Sequence, residues 1–424
     1  MKKILIPMVE AGGGHKMPAL AIRDAIEEMY PGRYHIDVID FAKEAGAKWD
    51  DKIIKGFWDW ALARPEITTN LNILLDSFNH LTRSNTVMRL FFQQFIHKGM
   101  KYIFNYKPDI VFSTHFFCSS VALFARDKYD LPYKVFSYMT DPVRGHNLWV
   151  NPRIEAVIVS TEEAKEFLIK QGEPRNKVKV LPFPLNKKFF IQLTKTREEI
   201  LNNLGLDPSR KTLLATSGGQ GIGDTSEYIK ELYNRNFPFN IIAICGKNKD
   251  LFNELNLMKS NTDSKTPLAV LGFVDNMHEL LEASDIAIAK GGASTTFEVL
   301  VKKVPTIFTH CAALHEKGNI DFCVNNKMGW FARNKNEFEA IIDDVLNTDI
   351  LEQYKENIYK NEYVKTLPDA AHDIARFIVK ELDTPYIKRE TSRTARLKYI
   401  LLVIRKNKFL IKSRTKNKRY RIDR

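Results

Sequence analysis

The sequence is poor in cysteine and has no long apolar run. Its four cysteines, Cys118, Cys245, Cys311 and Cys323, never fall at C-x-x-C spacing, which argues against a disulfide framework or a zinc site and leaves buried thiols. No uninterrupted apolar stretch approaches the ~20 residues that cross a bilayer as a helix. The opening "MKKILIPMV" has the basic start of an export signal, but its apolar part ends at Glu10 and no small-residue cleavage site follows. It reads as a buried strand of a cytoplasmic protein. Most of the chain also lacks a charge excess. The net charge of +13 belongs to residues 384–424, where fifteen Lys or Arg face only Glu390 and Asp423, so the rest sums to zero. A neutral body and a tail without a recognisable module argue against nucleic acid as a partner.

What is present is a globular composition, 44% hydrophobic and 27% charged over 424 residues, too long for one core and natural for two domains. Short β-rich runs alternate with helical patterns. "KKILIPMV", "HIDVID", "DIVFST", "YKVFSY" and "AVIVS" occupy the first half; "TLLATS", "NIIAIC", "LAVLGF", "IAIAK" and "VPTIFT" occupy the second, with helices such as "TSEYIKELYNR" and "MHELLEAS" between them. This alternation predicts an α/β protein of two doubly wound parallel sheets. The junction is read at "KVLPFPLNKKFF", residues 179–190, where two prolines and a lysine pair interrupt the pattern. The expected domains are 1–184 and 185–383, the last helix packing back on the first domain, with a basic tail at 384–424. Residues 42–106 form an insertion without a clear strand, rich in Trp49, Phe57, Trp58, Trp60, Phe78, Phe91, Phe92 and Phe95. These aromatics read either as a small core of their own or as an apolar groove or membrane-facing patch.

Glycines concentrate where strands end. "GGGH" follows the first strand, "SGGQGIG" (217–223) the first strand of the second half, and "KGGAST" (290–295) a later one. Glycine lets main-chain N–H groups approach an oxyanion, and a helix beginning just afterwards adds its positive dipole end. Two such turns in one domain suggest a diphosphate. The G-x-x-x-x-G-K-[ST] loop is absent, and the G-x-G-x-x-G fingerprint fails because Met17 stands where the third glycine belongs. Asp40, near where a ribose-binding acid would sit, leaves a dinucleotide enzyme as a weak reading.

Taken together, "EAGGGHKMPALAI", "KPDIVFSTHFF", "TDPVRGHNLW", "SGGQGIG", "GFVDNMHELLEASDIAIAKGGASTTFEVL" and "HEKGNIDF" resemble the monogalactosyldiacylglycerol synthase and processive diacylglycerol glucosyltransferase family, more distantly related to the peptidoglycan N-acetylglucosaminyltransferase. The likeness runs in order from residue 4 to about 380. It implies a GT-B fold, with two facing Rossmann-like domains, the nucleotide-sugar held by the second and the acceptor by the first. It further implies that His15 is the catalytic base, and that Asp141 either orients His15 or is the base itself. Asp141, His146 and Trp149 match the family's D-x-x-x-x-H-x-x-W spacing, with His146 and Trp149 on the acceptor side. For the donor it implies Gly14, Ser217, Gly218, Gly219, Gly221, Lys290, Gly292 and Thr295 around the phosphates and Glu298 on the ribose hydroxyls. Phe273 and Val274 belong beside the uracil, and His315, Glu316 and Asn319 read the sugar. His315 replaces the family's usual glutamine, which leaves glucose, galactose and N-acetylglucosamine all open. Ala293 and Ser294 stand in place of a proline and a glycine, and Pro18 in place of a small polar residue.

The expected reaction is inverting transfer of a hexosyl group from a UDP-sugar to a lipid hydroxyl such as that of diacylglycerol, with UDP-sugar as co-substrate and no cofactor or metal. The tail, "TARLKYILLVIRKNKFLIKSRTKNKRYR", interleaves apolar and basic residues and suits the headgroup region of an anionic membrane on its cytoplasmic face. Two other readings remain. One is a UDP-sugar 2-epimerase on the same fold, which needs extra carboxylates in the cleft; the other is a non-catalytic polyanion-binding protein whose tail is the working part.

Overall fold

A computed structural model describes residues 1–10, 13–62, 84–216, 218, 225–261, 264–311 and 314–388. Met1–Thr384 form one compact unit and Pro385–Arg424 a second. In the first, two six-stranded parallel sheets hold β1 (Lys2–Met8), β2 (Tyr34–Asp40), β3 (Ile110–Ser113), β4 (Lys134–Tyr138), β5 (Ala156–Val159) and β6 (Val178–Val180), then β7 (Thr212–Thr216), β8 (Asn240–Ile244), β9 (Leu268–Leu271), β10 (Ile286–Lys290), β11 (Thr306–His310) and β12 (Gly329–Phe331). Buried β-branched and leucine runs such as Ile4–Leu5–Ile6 and Ile286–Ala287–Ile288 make the central strands, as expected when helices cover both faces.

The strand orders are β2-β1-β3-β4-β5-β6 and β12-β11-β10-β7-β8-β9. Each reverses direction once, between β1 and β3 and between β7 and β10. A crevice opens beyond the carboxyl ends of strands at such points. Gly14 after β1, Gly218 after β7 and Gly292 after β10 follow the carboxyl ends of those strands. The ten strands read from sequence are present; β6 and β12 were missed because three residues show no period, and β6 takes the first two residues of the segment read as the junction.

Helix α1 (Gly13–Met29) follows β1. The insertion contributes α2 (Lys48–Leu62), α3 (Ser84–Phe91) and α4 (Gln93–Tyr106), and α5 (Phe116–Tyr129) follows β3. The aromatics do not form a core of their own; they divide between the main core and the surface. Phe92 and Phe95 join Met88 and Ile54 in the main core against Phe117 and Val121, with Phe92 and Phe117 at 5.1 Å between ring centroids. Trp49, by contrast, is 71% exposed, and Ile53, Phe57 and Trp60 continue its stripe along α2 beside exposed Leu90 and Phe91 on α3. Phe78 and the side chain of Trp58 lie outside the described residues.

In the second half α6 (Ala293–Val301) follows β10 and α7 (Leu314–Asn325) follows β11. The chain then returns: α8 (Ala370–Asp383) lays Ile374, Ala375, Ile378 and Leu382 in one core with Ile22, Ala25 and Ile26 of α1. Lys134 at the start of β4 pairs with Glu381 at 3.0 Å. Among the described residues no helix is long and apolar enough to cross a membrane.

Helix packing around α4 is tight enough to predict opposite outcomes for two glycines. A Cβ on Gly99 would stand 2.6 Å from Val121 Cγ1, whereas one on Gly56, on exposed α2, meets nothing within 4 Å. Gly99→Ala is expected to lower unfolding stability by about 1–3 kcal/mol and Gly56→Ala to raise it by up to about 1 kcal/mol, both read by chemical denaturation.

Candidate active site

The acceptor-side half of the site is built around one imidazole. His15 occupies the first turn of α1 and is 7% exposed. Its Nδ1 lies 2.7 Å from the main-chain oxygen of Thr114, just past β3. A carbonyl can only accept, so Nδ1 donates and carries the proton, which leaves the lone pair on Nε2. Thr140 Oγ1, just past β4, lies 2.9 Å from the same nitrogen and shares that N–H. Thr114 Oγ1 donates back to the His15 carbonyl at 2.9 Å. Position and tautomer of His15 are therefore set by the ends of two neighbouring strands.

Beside it, His115 packs its ring 4.6 Å from that of His15 and accepts from the Phe117 amide at 3.2 Å, capping α5. Burial, helped by His15 and His146, drives its pKa well below the ordinary value, so it stays neutral. Asp141 behaves differently from expectation. Its Oδ2 accepts from Trp149 Nε1 at 2.6 Å and lies 3.6 Å from His146 Nε2. The Thr114 carbonyl, a main-chain group, takes the orienting role that Asp141 was expected to play. Trp149, expected at the acceptor, is 1% exposed and acts from below by holding Asp141. His146 is half-buried against Phe116, with ring centroids 4.9 Å apart.

The glycine loop leading to His15 is tied at both ends. Glu10 pairs with Lys16 at 2.8 Å, and the Lys16 hydrogen bond holds its carboxyl below the usual value against some burial, with Lys247 of the second sheet adding to the field. Asp40 ends β2 and receives a backbone hydrogen bond from Glu10, while Lys55 of α2 reaches it at 2.6 Å. Burial nevertheless raises the Asp40 carboxyl. The carboxylate that the dinucleotide reading assigned to a ribose thus anchors the insertion to the loop.

Across the cleft, Gly218 turns the chain after β7 with φ +74° and donates to Thr216 Oγ1 at 3.2 Å. A Cβ there would lie 3.1 Å from Cε of Lys290, so only glycine lets the lysine from the end of β10 lie over the turn. Gly292 caps α6, and a Cβ on it would stand 4.0 Å from Glu316 Oε1. Asn319 donates to the Gly291 carbonyl at 2.9 Å. Gly218, Lys290, Gly292, Glu316 and Asn319 are thus brought together, with Thr295 in the first turn of α6 and half-buried. Gly14 opens α1 on the facing side. Ser217, Gly219, Gly221 and the side chain of His315 lie outside the described residues.

Several buried polar atoms at this end of the sheet have no partner in the protein: Ser294 Oγ, Thr309 Oγ1, His310 Nε2 and Asn319 Oδ1. Buried polar atoms are nearly always satisfied, and among the described residues these four are not. Glu298 lies further along α6, and burial pushes its carboxyl up to about 7, opposed by the charge of Lys188. Phe273 is 65% exposed at the end of β9, with Lys247 5.9 Å from its ring, and Val274 follows half-buried. The halves meet where Gly318 of α7 abuts Val143 and Arg144: a Cβ on it would lie 3.2 Å from the Arg144 Cβ. Sequence reasoning missed Thr114, Thr140 and Lys188. Thr114 works through a carbonyl, which no residue type announces; Thr140 adjoins Asp141 in the quoted "TDPVRGHNLW"; Lys188 belongs to the lysine pair of the junction.

Known proteins resemble both halves of the chain. Residues 15–185 match the monogalactosyldiacylglycerol (MGDG) synthase family model and residues 212–373 the glycosyltransferase family 28 C-terminal domain. The chain is 26% identical over 405 residues to monogalactosyldiacylglycerol synthase 2, chloroplastic, of Arabidopsis thaliana, covering 90% of this chain and 80% of that one. It is 25% identical over 354 residues to the processive diacylglycerol beta-glucosyltransferase of Staphylococcus epidermidis, covering 82% and 85%. Among solved structures, Acinetobacter baumannii MurG superposes with TM-score 0.55 at 15% identity, covering 90% of this chain and all of that one. The UDP-GlcNAc 2-epimerase of Neisseria meningitidis gives 0.58 at 14%, with the same coverage. These last two likenesses show the fold. With both halves matched in order, the chain is a GT-B glycosyltransferase that resembles the monogalactosyldiacylglycerol synthase and diacylglycerol glucosyltransferase family.

Proposed function

We propose that this glycosyltransferase moves a hexosyl group from a UDP-sugar to the hydroxyl of a lipid of the diacylglycerol class, at a membrane surface and with inversion. The observation that carries the reading is the Nδ1–H bond of His15 to the Thr114 carbonyl. In the neutral ring it leaves the lone pair on Nε2, the nitrogen that can act as a base. Nε2 takes the proton of the acceptor hydroxyl as its oxygen attacks the anomeric carbon. The bond from that carbon to the diphosphate oxygen breaks on the opposite face, so an α-linked donor gives a β-linked product and UDP leaves with the bonding pair. The N-terminus of α6 and Lys290 are the groups available to receive that charge.

Glu298 supplies the ribose contact in this reading. A carboxylate accepts two hydroxyl hydrogen bonds at once, and such bonds offset the burial that lifts its pKa in the free protein. Glu316 and Asn319 face the sugar. A lipidic acceptor is supported by the exposed stripe of Trp49, Ile53, Phe57 and Trp60 on the acceptor-side half, where aromatic residues bring a large apolar payload with a polar tip. An epimerase has no use for such a stripe, and the likeness to epimerases is one of fold. The basic segment 384–424 is assigned to an anionic membrane surface.

His15→Ala is expected to cut transfer by about 10²–10⁴-fold while UDP still binds in calorimetry; wild-type turnover in that variant would shift the base role to Asp141. Deleting residues 389–424 should reduce sedimentation with anionic vesicles and leave UDP affinity unchanged, and vesicle binding at the wild-type level would refute the role of the tail. Glu298→Gln should weaken UDP binding by about 10–100-fold, as for a lost charged hydrogen bond. The same change should stabilise the free protein. Because the folded pKa of about 7 exceeds the ordinary value of 4.5, ionisation penalises the fold increasingly from pH 4.5 to 7 and fully above that. The thermal-melt gap between Glu298→Gln and wild type should therefore widen from pH 5 to 7.5.

A further inference from the structure

The segment that joins the two sheets was read from sequence as little more than an interruption. In the structure it forms a short 3-10 turn, Lys187–Phe189, capped by Asn186, whose Oδ1 accepts from the Lys188 amide at 3.1 Å. Side chains of this turn reach in two directions. Asn186 Nδ2 bonds Asp24 at 3.3 Å and Lys187 pairs with Glu28 at 3.2 Å, both on α1, the helix that carries His15 in its first turn. Lys188 turns to the other half, where its ammonium donates to the main-chain oxygen of Asp275, the residue after Val274. Phe189 is buried beneath, its ring 6.0 Å from that of His278.

We infer that Lys188 is a positioning residue for the nucleotide: it fixes the Phe273–Val274–Asp275 loop and sets its positive charge toward Glu298, so that the base-side and ribose-side contacts are held in one arrangement by the turn between the domains. The inference rests on the UDP-sugar reading above and adds a residue to it.

The surroundings support this role. Lys188 is the charge that favours the ionised form of Glu298 against burial. It also acts on His278, whose pKa is lowered first by burial and then by Lys188 and Lys302, with Glu279 and Asp275 opposing. The charge that acts on the Glu298 carboxylate is therefore Lys188 from the turn, while Asp275, Glu279 and Lys302 act with it on His278. His278 gives up its proton below its ordinary value, so near neutral pH it carries no charge that could stand in for the lysine. Without the ammonium, Glu298 takes up its proton at a higher pH. A nucleotide whose ribose needs the carboxylate then binds well only in more alkaline solution.

The test is calorimetric titration of UDP into the full-length wild type, Lys188→Met, Lys188→Arg and Glu298→Gln between pH 5.5 and 8.5, each variant checked for a wild-type circular dichroism spectrum. Glu298→Gln reports the nucleotide's own ionisation. Relative to that baseline, wild-type affinity should rise through about pH 7. Lys188→Met should bind several-fold more weakly at pH 7 with its midpoint displaced upward by about half a unit or more, and Lys188→Arg should restore the wild-type midpoint. Lys188→Met with wild-type affinity and midpoint would overturn the inference, as would an equal loss at every pH, the mark of a merely structural tie. If the wild type binds no UDP at any pH, the donor reading falls and this assignment with it; wild-type binding with an indifferent Lys188→Met sinks the assignment alone.

Discussion

A single hydrogen bond, from Nδ1 of His15 to the carbonyl of Thr114, gives the site its direction. It settles which ring nitrogen has a lone pair, and with that which face of the imidazole can act as a base. The bond exists because β1 and β3 are neighbours in the sheet, with Ile4 opposite Ile110, although the insertion separates them in sequence. Thr114 is held in turn by its amide on Pro7, at 3.3 Å. The strand reversal that opens the crevice thus also supplies the acceptor that orients the base. Thr140, from the next strand end, shares the same proton, so the tautomer follows from the strand order.

The opposite half is arranged less comfortably. A carboxyl is buried at Glu298 against its preference, polar atoms of Ser294, Thr309, His310 and Asn319 lack partners in the protein, and glycines stand where any side chain would collide with Lys290 or α7. Each feature costs stability in the free protein and is relieved by a ligand rich in hydroxyl and phosphate oxygens. One half fixes the proton of a histidine and the other leaves buried polar atoms without partners among the described residues, a division that suits the proposed transfer.

Much of this was legible in the sequence, for physical reasons. Fully buried parallel strands read as apolar runs, so ten of twelve could be located; β6 and β12 carry too few residues to show a pattern. Glycines at strand ends pointed to places where a main chain can approach an anion, and His15 and Glu298 stood out through a family resemblance borne by several separated motifs. What stayed hidden is the work of groups without a distinctive side chain or an expected place. The Thr114 carbonyl replaced Asp141 as the orienting group, Trp149 went beneath the site, and Asp40 turned to Lys55. The insertion aromatics divided between core and surface because helical spacing alone does not say which face of α2 meets the body.

The claim on which the account turns is the tautomer of His15, and nitrogen-15 NMR of histidine-labelled protein reads it directly, with the His15→Ala variant supplying the assignment. At pH 7.5 the account predicts a neutral ring with the proton on Nδ1 and an unprotonated Nε2. A His15 signal showing the proton on Nε2 would contradict it, because Nε2 would then have no lone pair to accept a proton.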